Sequence, residues 1–180
     1  IHGIRPFAAG YMTALMSAGW TTGSILMSGR SRQFANKLLI ISPLLSALCL
    51  AILGVLMPWQ ALSLHHHMTW VMFIPLFGVG LGVGMIWPHL STRVFLSTQP
   101  GQENMASAAI TTLQMYAMSI GAALAGMITT AAGFNTGTLA GAQRSASWLL
   151  LCFALMPIIF VCVSKAARQA GQPTEPPADA

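Results

Sequence analysis

Across 180 residues only 6% are Asp, Glu, Lys or Arg, whereas about a quarter of a soluble domain is charged. Hydrophobic residues make up 55%, mean hydropathy is +0.69, and the apolar residues run uninterrupted instead of alternating, so the main solvent of this chain is lipid. The net charge of +5 does not indicate nucleic acid, because no basic cluster with interleaved aromatics lies on a polar face.

A bilayer core needs about 20 apolar residues in a helix, because lipid offers no partner to free backbone groups. Five segments meet or approach this length, and none contains a charged residue: span A (Phe7 to Gly29), span B (Leu38 to Met57), span C (Thr69 to Leu90), span D (Met105 to Ala131) and span E (Trp148 to Val163). The chain begins at Ile1, with no charged stretch and cleavage site ahead of span A, and is expected to be a fragment.

In span A, Thr13, Ser17, Thr21, Ser24 and Ser28 recur every three or four residues and draw one polar stripe. The stripe is expected either to bond a neighbouring helix or to line an aqueous path. The connection to span B, GRSRQFANK, carries Arg30, Arg32 and Lys37. After span B, His65, His66 and His67 form a triplet, but adjacent imidazoles without a nearby Cys or carboxylate do not converge on one metal ion.

Span C contains FGVGLGVGMIWP, with Gly78, Gly80, Gly82 and Gly84 followed by Pro88. The spacing is GxGxGxG and not the GxGxxG of a dinucleotide loop. The pairs Gly78/Gly82 and Gly80/Gly84 are spaced for close helix packing, and with Pro75 and Pro88 they also make the span a candidate bent helix or hinge. His89 follows and reads as a solvated interfacial histidine.

Span D places Ser107, Thr111 and Gln114 on one face and Thr112, Ser119 and Gly126 on another. Gln114 is the one carboxamide at membrane depth, so it is a candidate substrate contact or an interhelical bond. Ser17, Trp20, Thr21, Gln114 and Met118 form the candidate cavity set, and methionines such as Met12, Met16, Met115 and Met118 suit an adaptable lining or simple apolar filling. The cysteines Cys49, Cys152 and Cys162 fall singly in apolar runs and read as small packing residues.

Small residues (Gly, Ala, Ser, Thr) fill 14 of 23 positions in A and 16 of 27 in D, but 5 of 20 in B and 1 of 16 in E. Since small residues permit close approach, A and D are expected inside the bundle and B and E at its periphery. Lys and Arg accumulate on the cytoplasmic side. Placing Arg30, Arg32, Lys37, Arg93, Lys165 and Arg168 there leaves Arg5 and Arg144 outside. The N-terminus is then external and the C-terminus cytoplasmic, in an inner (plasma) membrane. Trp59, Trp70 and Trp148 fall at the outer interface and Trp87 at the inner one. Residues 169–180, ending GQPTEPPADA, read as a disordered tail.

The order of spans, small-polar, aliphatic, glycine-bent, small-polar and aliphatic, resembles spans eight to twelve of a major facilitator superfamily transporter. AAGYMTALMSAGWTTGS is similar to the eighth span of drug-exporter-like members, and GLGVGMIWPHL with QENMASAAITTLQMYAMSIGAALAG to their tenth-to-eleventh segment. GRSRQFANK resembles the family's signature loop but lacks its acidic residue, which leaves positive-inside retention for Arg30 and Arg32. The resemblance implies an all-α integral membrane bundle of five transmembrane helices. It also implies alternating-access export of a small-molecule substrate, and an N-terminal half of the same transporter as partner. The spans hold neither paired Asp nor HExxH, and a Walker loop is absent, so no enzyme, metal or cofactor is expected. The competing reading is a non-transporting membrane scaffold or permease-like subunit.

Overall fold

The computed structural model describes residues 6–30, 32–58 and 71–170. Five long helices follow one another: α1 (Pro6–Met27), α2 (Arg32–Leu56), α3 (Phe73–Leu96), α4 (Glu103–Ala131) and α5 (Leu139–Ala170), with a 3-10 turn at Phe134–Thr136. The fold is all-α, as the sequence indicates. The His65 to His67 triplet, Arg5, Trp59, Trp70 and residues 171–180 lie outside the described residues.

Each helix runs further than its apolar centre at one end or both, because a helix continues through the polar interface that hydropathy does not register. α2 starts at Arg32, so Arg32 and Lys37 belong to its first turns and the α1–α2 connection is short. It turns at Gly29, whose φ of 76° is the left-handed conformation that ends helices. α5 has 32 residues, against the 16 of its apolar centre. The Thr138 hydroxyl accepts the Gly141 N–H at 3.0 Å and caps its start. At the start of α4 a Glu103 carboxylate oxygen accepts the Gly101 N–H at 3.1 Å.

Among the described residues four helices, α2 to α5, are long and apolar enough to cross a membrane, in segments Phe34–Leu56, Phe73–Leu96, Glu103–Ala131 and Leu139–Ala166. α1 has 22 residues but is not among them. Its Thr, Ser and Gly positions dilute its hydropathy.

The packing runs in the order α1, α3, α2, α5, α4. This corrects the expectation that B is peripheral: within this chain's own bundle α2 is the central helix, and A and D, expected inside, stand at the two ends of the packing order. α2 holds most of the core, with Leu38, Leu39, Ser42, Ser46, Ala47, Cys49 and Leu53 all buried, whereas α4 has no buried residue. Composition averages over both faces of a helix. The few small residues of α2 sit where its neighbours approach, Ser42 and Ser46 against α3 and Ala51 and Gly54 against α5, and Ile41, Leu44, Leu48, Ile52 and Val55 are exposed.

Two apolar clusters close the ends of the α2–α3 contact: Leu38, Leu39 and Ile86 at one, Leu53 and Met72 at the other. Between them lies a layer without bulk. Added Cβ atoms on Gly78 and Gly82 would overlap the Cys49 sulfur and the Ser46 hydroxyl of α2. On the other side of α3, Gly80 and Gly84 lie against the Met16 and Trp20 carbonyl oxygens of α1. The contact is reciprocal, since a Cβ on Gly19 would overlap the Phe77 carbonyl oxygen and one on Gly23 would sit 2.6 Å from that of Leu81. The alternating glycines thus serve two neighbours, because residues four apart share a face while residues two apart do not.

Candidate functional site

The candidate cavity residues lie on the two helices at the ends of the packing order, and the structure does not gather them into one pocket. Ser17, Trp20 and Thr21 of α1 are exposed. On α4, Met118 is exposed and Gln114 half-buried. α1 and α4 form no extended contact.

The stripe on α1 divides in two. The Ser17 hydroxyl donates to the Thr13 carbonyl at 3.3 Å and Thr21 to the Ser17 carbonyl at 3.0 Å, both within the helix. Ser24 reaches across a helix contact, donating to the Gly84 carbonyl at 3.1 Å. Back-bonded hydroxyls leave no free donor. A polar stripe of this kind therefore needs no neighbouring helix, and that separates Ser17 and Thr21 from the interhelical role open to them in the sequence. α4 repeats the pattern: Thr111 bonds Ser107, Thr112 bonds Ala108 and Ser119 bonds Met115 along the same helix, at 2.9 to 3.1 Å. Its glycines Gly121 and Gly126 have nothing within 4 Å of an added Cβ.

At the other candidate positions, Arg30 stacks on Phe34 with 5.8 Å from the guanidinium carbon to the ring centre. Lys37 is exposed. Arg93 donates to the Asn36 side-chain oxygen at 2.5 Å and ties the end of α3 to the start of α2, a contact that sequence spacing did not indicate. His89 departs from the solvated interfacial reading: it is half-buried within α3, and its Nε2 is enclosed without a hydrogen-bond partner.

Sequence reasoning also missed Ser147, half-buried on α5, whose hydroxyl donates to the Gly54 carbonyl of α2 at 2.5 Å. The signal was present in the spacing of Gly54 and Pro58. Proline has no N–H, so the carbonyl four residues before it loses its helical donor.

Comparison with known proteins supplies relatives. The chain is 30% identical over 127 residues to a protein of Mycobacterium tuberculosis strain CDC 1551 named "Probable multidrug-efflux transporter". The corresponding protein of strain H37Rv, given the same description, matches equally well. The matched region is 69% of this chain and 26% of the relative's length, so the chain spans about a quarter of the relatives it matches. No protein-family pattern matches, and no solved structure matches. Four membrane-length apolar helices and relatives named as transporters make this a multi-pass membrane protein.

Proposed function

We propose that the chain forms the C-terminal helical portion of a major facilitator-type secondary transporter that exports small organic molecules by alternating access. The similarity to proteins named as multidrug-efflux transporters carries this reading. The outward faces of α1 and α4 support it: both carry small and hydroxyl residues rather than the bulky aliphatic side chains that α2 turns outward, and their hydroxyls bond within their own helix and are committed to no neighbour.

In this reading Ser17, Trp20 and Thr21 on α1 and Gln114 and Met118 on α4 border a cavity that an N-terminal half of the same transporter completes. The glycine layer of α3 lets α1 and α2 sit close enough to move as one unit, with Pro88 as the candidate bend. Arg30, Arg32 and Lys37 hold the α1–α2 connection on the cytoplasmic face of the inner membrane through positive-inside retention. No catalytic residue, metal or cofactor is assigned to the chain. Any energy source is then an ion gradient or a separate subunit.

The complete gene product, reconstituted in proteoliposomes, should move lipophilic cationic dyes faster than protein-free vesicles when a proton or sodium gradient is imposed. Absence of gradient-dependent flux over a broad dye panel would favour a scaffold subunit.

A further inference from the structure

Apart from the α1 and α4 faces, the end of the bundle where α2 stops and α5 begins holds a cavity of about 290 Å³ with both polar and apolar walls. Pro58, Ala140, Gln143, Arg144, Ser147 and Trp148 line it. Gln143 is only 5% exposed, yet its Nε2 has no hydrogen-bond partner. Arg144 is exposed, and among the described residues the acid, Glu103, stands at the far end of α4 from it. Trp148 lies one turn below Arg144 on the same face.

Trp148 also lines a second, almost wholly apolar cleft of about 530 Å³ between α2 and α5. Its walls include Leu48, Ala51, Leu151, Leu155 and Ile158, so it runs from Trp148 down the α5 helix for about 15 Å at 1.5 Å per residue. A donor-rich cavity therefore sits on top of an apolar groove, with one indole shared between them. The guanidinium above the indole is placed where a helix leaves the hydrocarbon for the headgroup layer, since the apolar centre of α5 starts at Trp148.

We propose that this pair of cavities binds an anionic phospholipid, its phosphate held by the Arg144 guanidinium and the Gln143 amide and one acyl chain laid in the α2–α5 groove. A guanidinium fork matches phosphate oxygens, and an amide donor without an acceptor is satisfied by the same group. The Ser147 hydroxyl is already committed to Gly54 and shapes the wall without binding the lipid. This assignment is independent of what the protein transports.

The test is native mass spectrometry of the intact protein released from detergent micelles, titrated with dioleoyl phosphatidylglycerol or dioleoyl phosphatidylcholine. Retention of phosphatidylglycerol should exceed that of phosphatidylcholine by about fivefold, the size expected of one basic residue facing an anionic headgroup. Arg144→Gln should remove that preference, and Arg144→Lys should keep most of it. Ala51→Trp should fill the groove and weaken both lipids, with helical circular dichroism unchanged. Equal retention of the two lipids by the unmodified protein, or an undiminished preference in Arg144→Gln, would overturn the proposal. Displacement of phosphatidylglycerol by excess inorganic phosphate would also overturn it, by showing a free-anion site.

Discussion

The Ser24 hydroxyl on α1 donates to the Gly84 carbonyl oxygen on α3 at 3.1 Å, and Gly84 stands four residues before Pro88. Proline removes the donor that a helix would offer that carbonyl, and in hydrocarbon no water replaces it. Ser147 meets the Gly54 carbonyl in the last turn of α2, which ends at Leu56 ahead of Pro58. At the α1–α3 contact a serine takes an acceptor that a proline inside the helix has vacated, and at the α2–α5 contact one that the end of α2 leaves open.

Ser24→Ala is therefore expected to lower stability by about 1 kcal/mol, the usual net worth of such a bond. In a Pro88→Ala background the helix supplies its own donor, and the same substitution should cost much less. Reversible unfolding in mixed micelles, run as a double-mutant cycle, measures the difference. Equal losses in the two backgrounds would show that Ser24 does not act through Gly84.

Gly80→Leu should reduce the yield of folded protein, since even a Cβ overlaps the Met16 carbonyl oxygen and backbone cannot yield as a flexible side chain can. The expected destabilisation is at least about 1–3 kcal/mol. Gly126→Leu, with open space around it, should fold normally. Size-exclusion profiles of the two variants in the same detergent make the comparison.

The glycine pairs were legible in the sequence, because Gly78/Gly82 and Gly80/Gly84 have helical spacing whatever they pack against. The centres of the long helices were legible for the same reason: uncharged apolar runs of that length have few alternatives in lipid. The central position of α2 was not, because counting small residues along a helix discards which face each occupies, and Ser42, Ser46 and Cys49 are few but all on the α3 side. The helix ends were hidden by their polarity, so Arg32, Lys37 and Gln143 look like loop in hydropathy and are helical. Contacts such as Arg93 with Asn36, or Ser147 with Gly54, join residues far apart in the chain. No local pattern encodes such pairs, although GxxxP marks the acceptor.

Gln114→Leu should cut dye export by about tenfold, a loss of roughly 1.4 kcal/mol in the productive interaction, while leaving expression and melting near those of the parent. Gln114 is half-buried on a helix that has no buried residue, so the substitution removes little packing. Proportional losses of protein and of export would assign the residue to structure instead.

A protease site inserted after Gly29 should be cut in inside-out membrane vesicles and protected in right-side-out ones, because Arg30, Arg32 and Lys37 are expected on the cytoplasmic face. Cleavage only in right-side-out vesicles would invert the topology.

Thiol labelling from water tests most directly whether the outward faces of α1 and α4 border an aqueous path. With Cys49, Cys152 and Cys162 replaced by serine or alanine, single cysteines at Ser17, Thr21 and Gln114 are treated with a membrane-impermeant maleimide in the complete protein in membranes. The account predicts labelling at all three, slowed by transported dye, and none at Leu48 on the lipid-facing side of α2. Inert cysteines at Ser17, Thr21 and Gln114 in properly folded protein would contradict it.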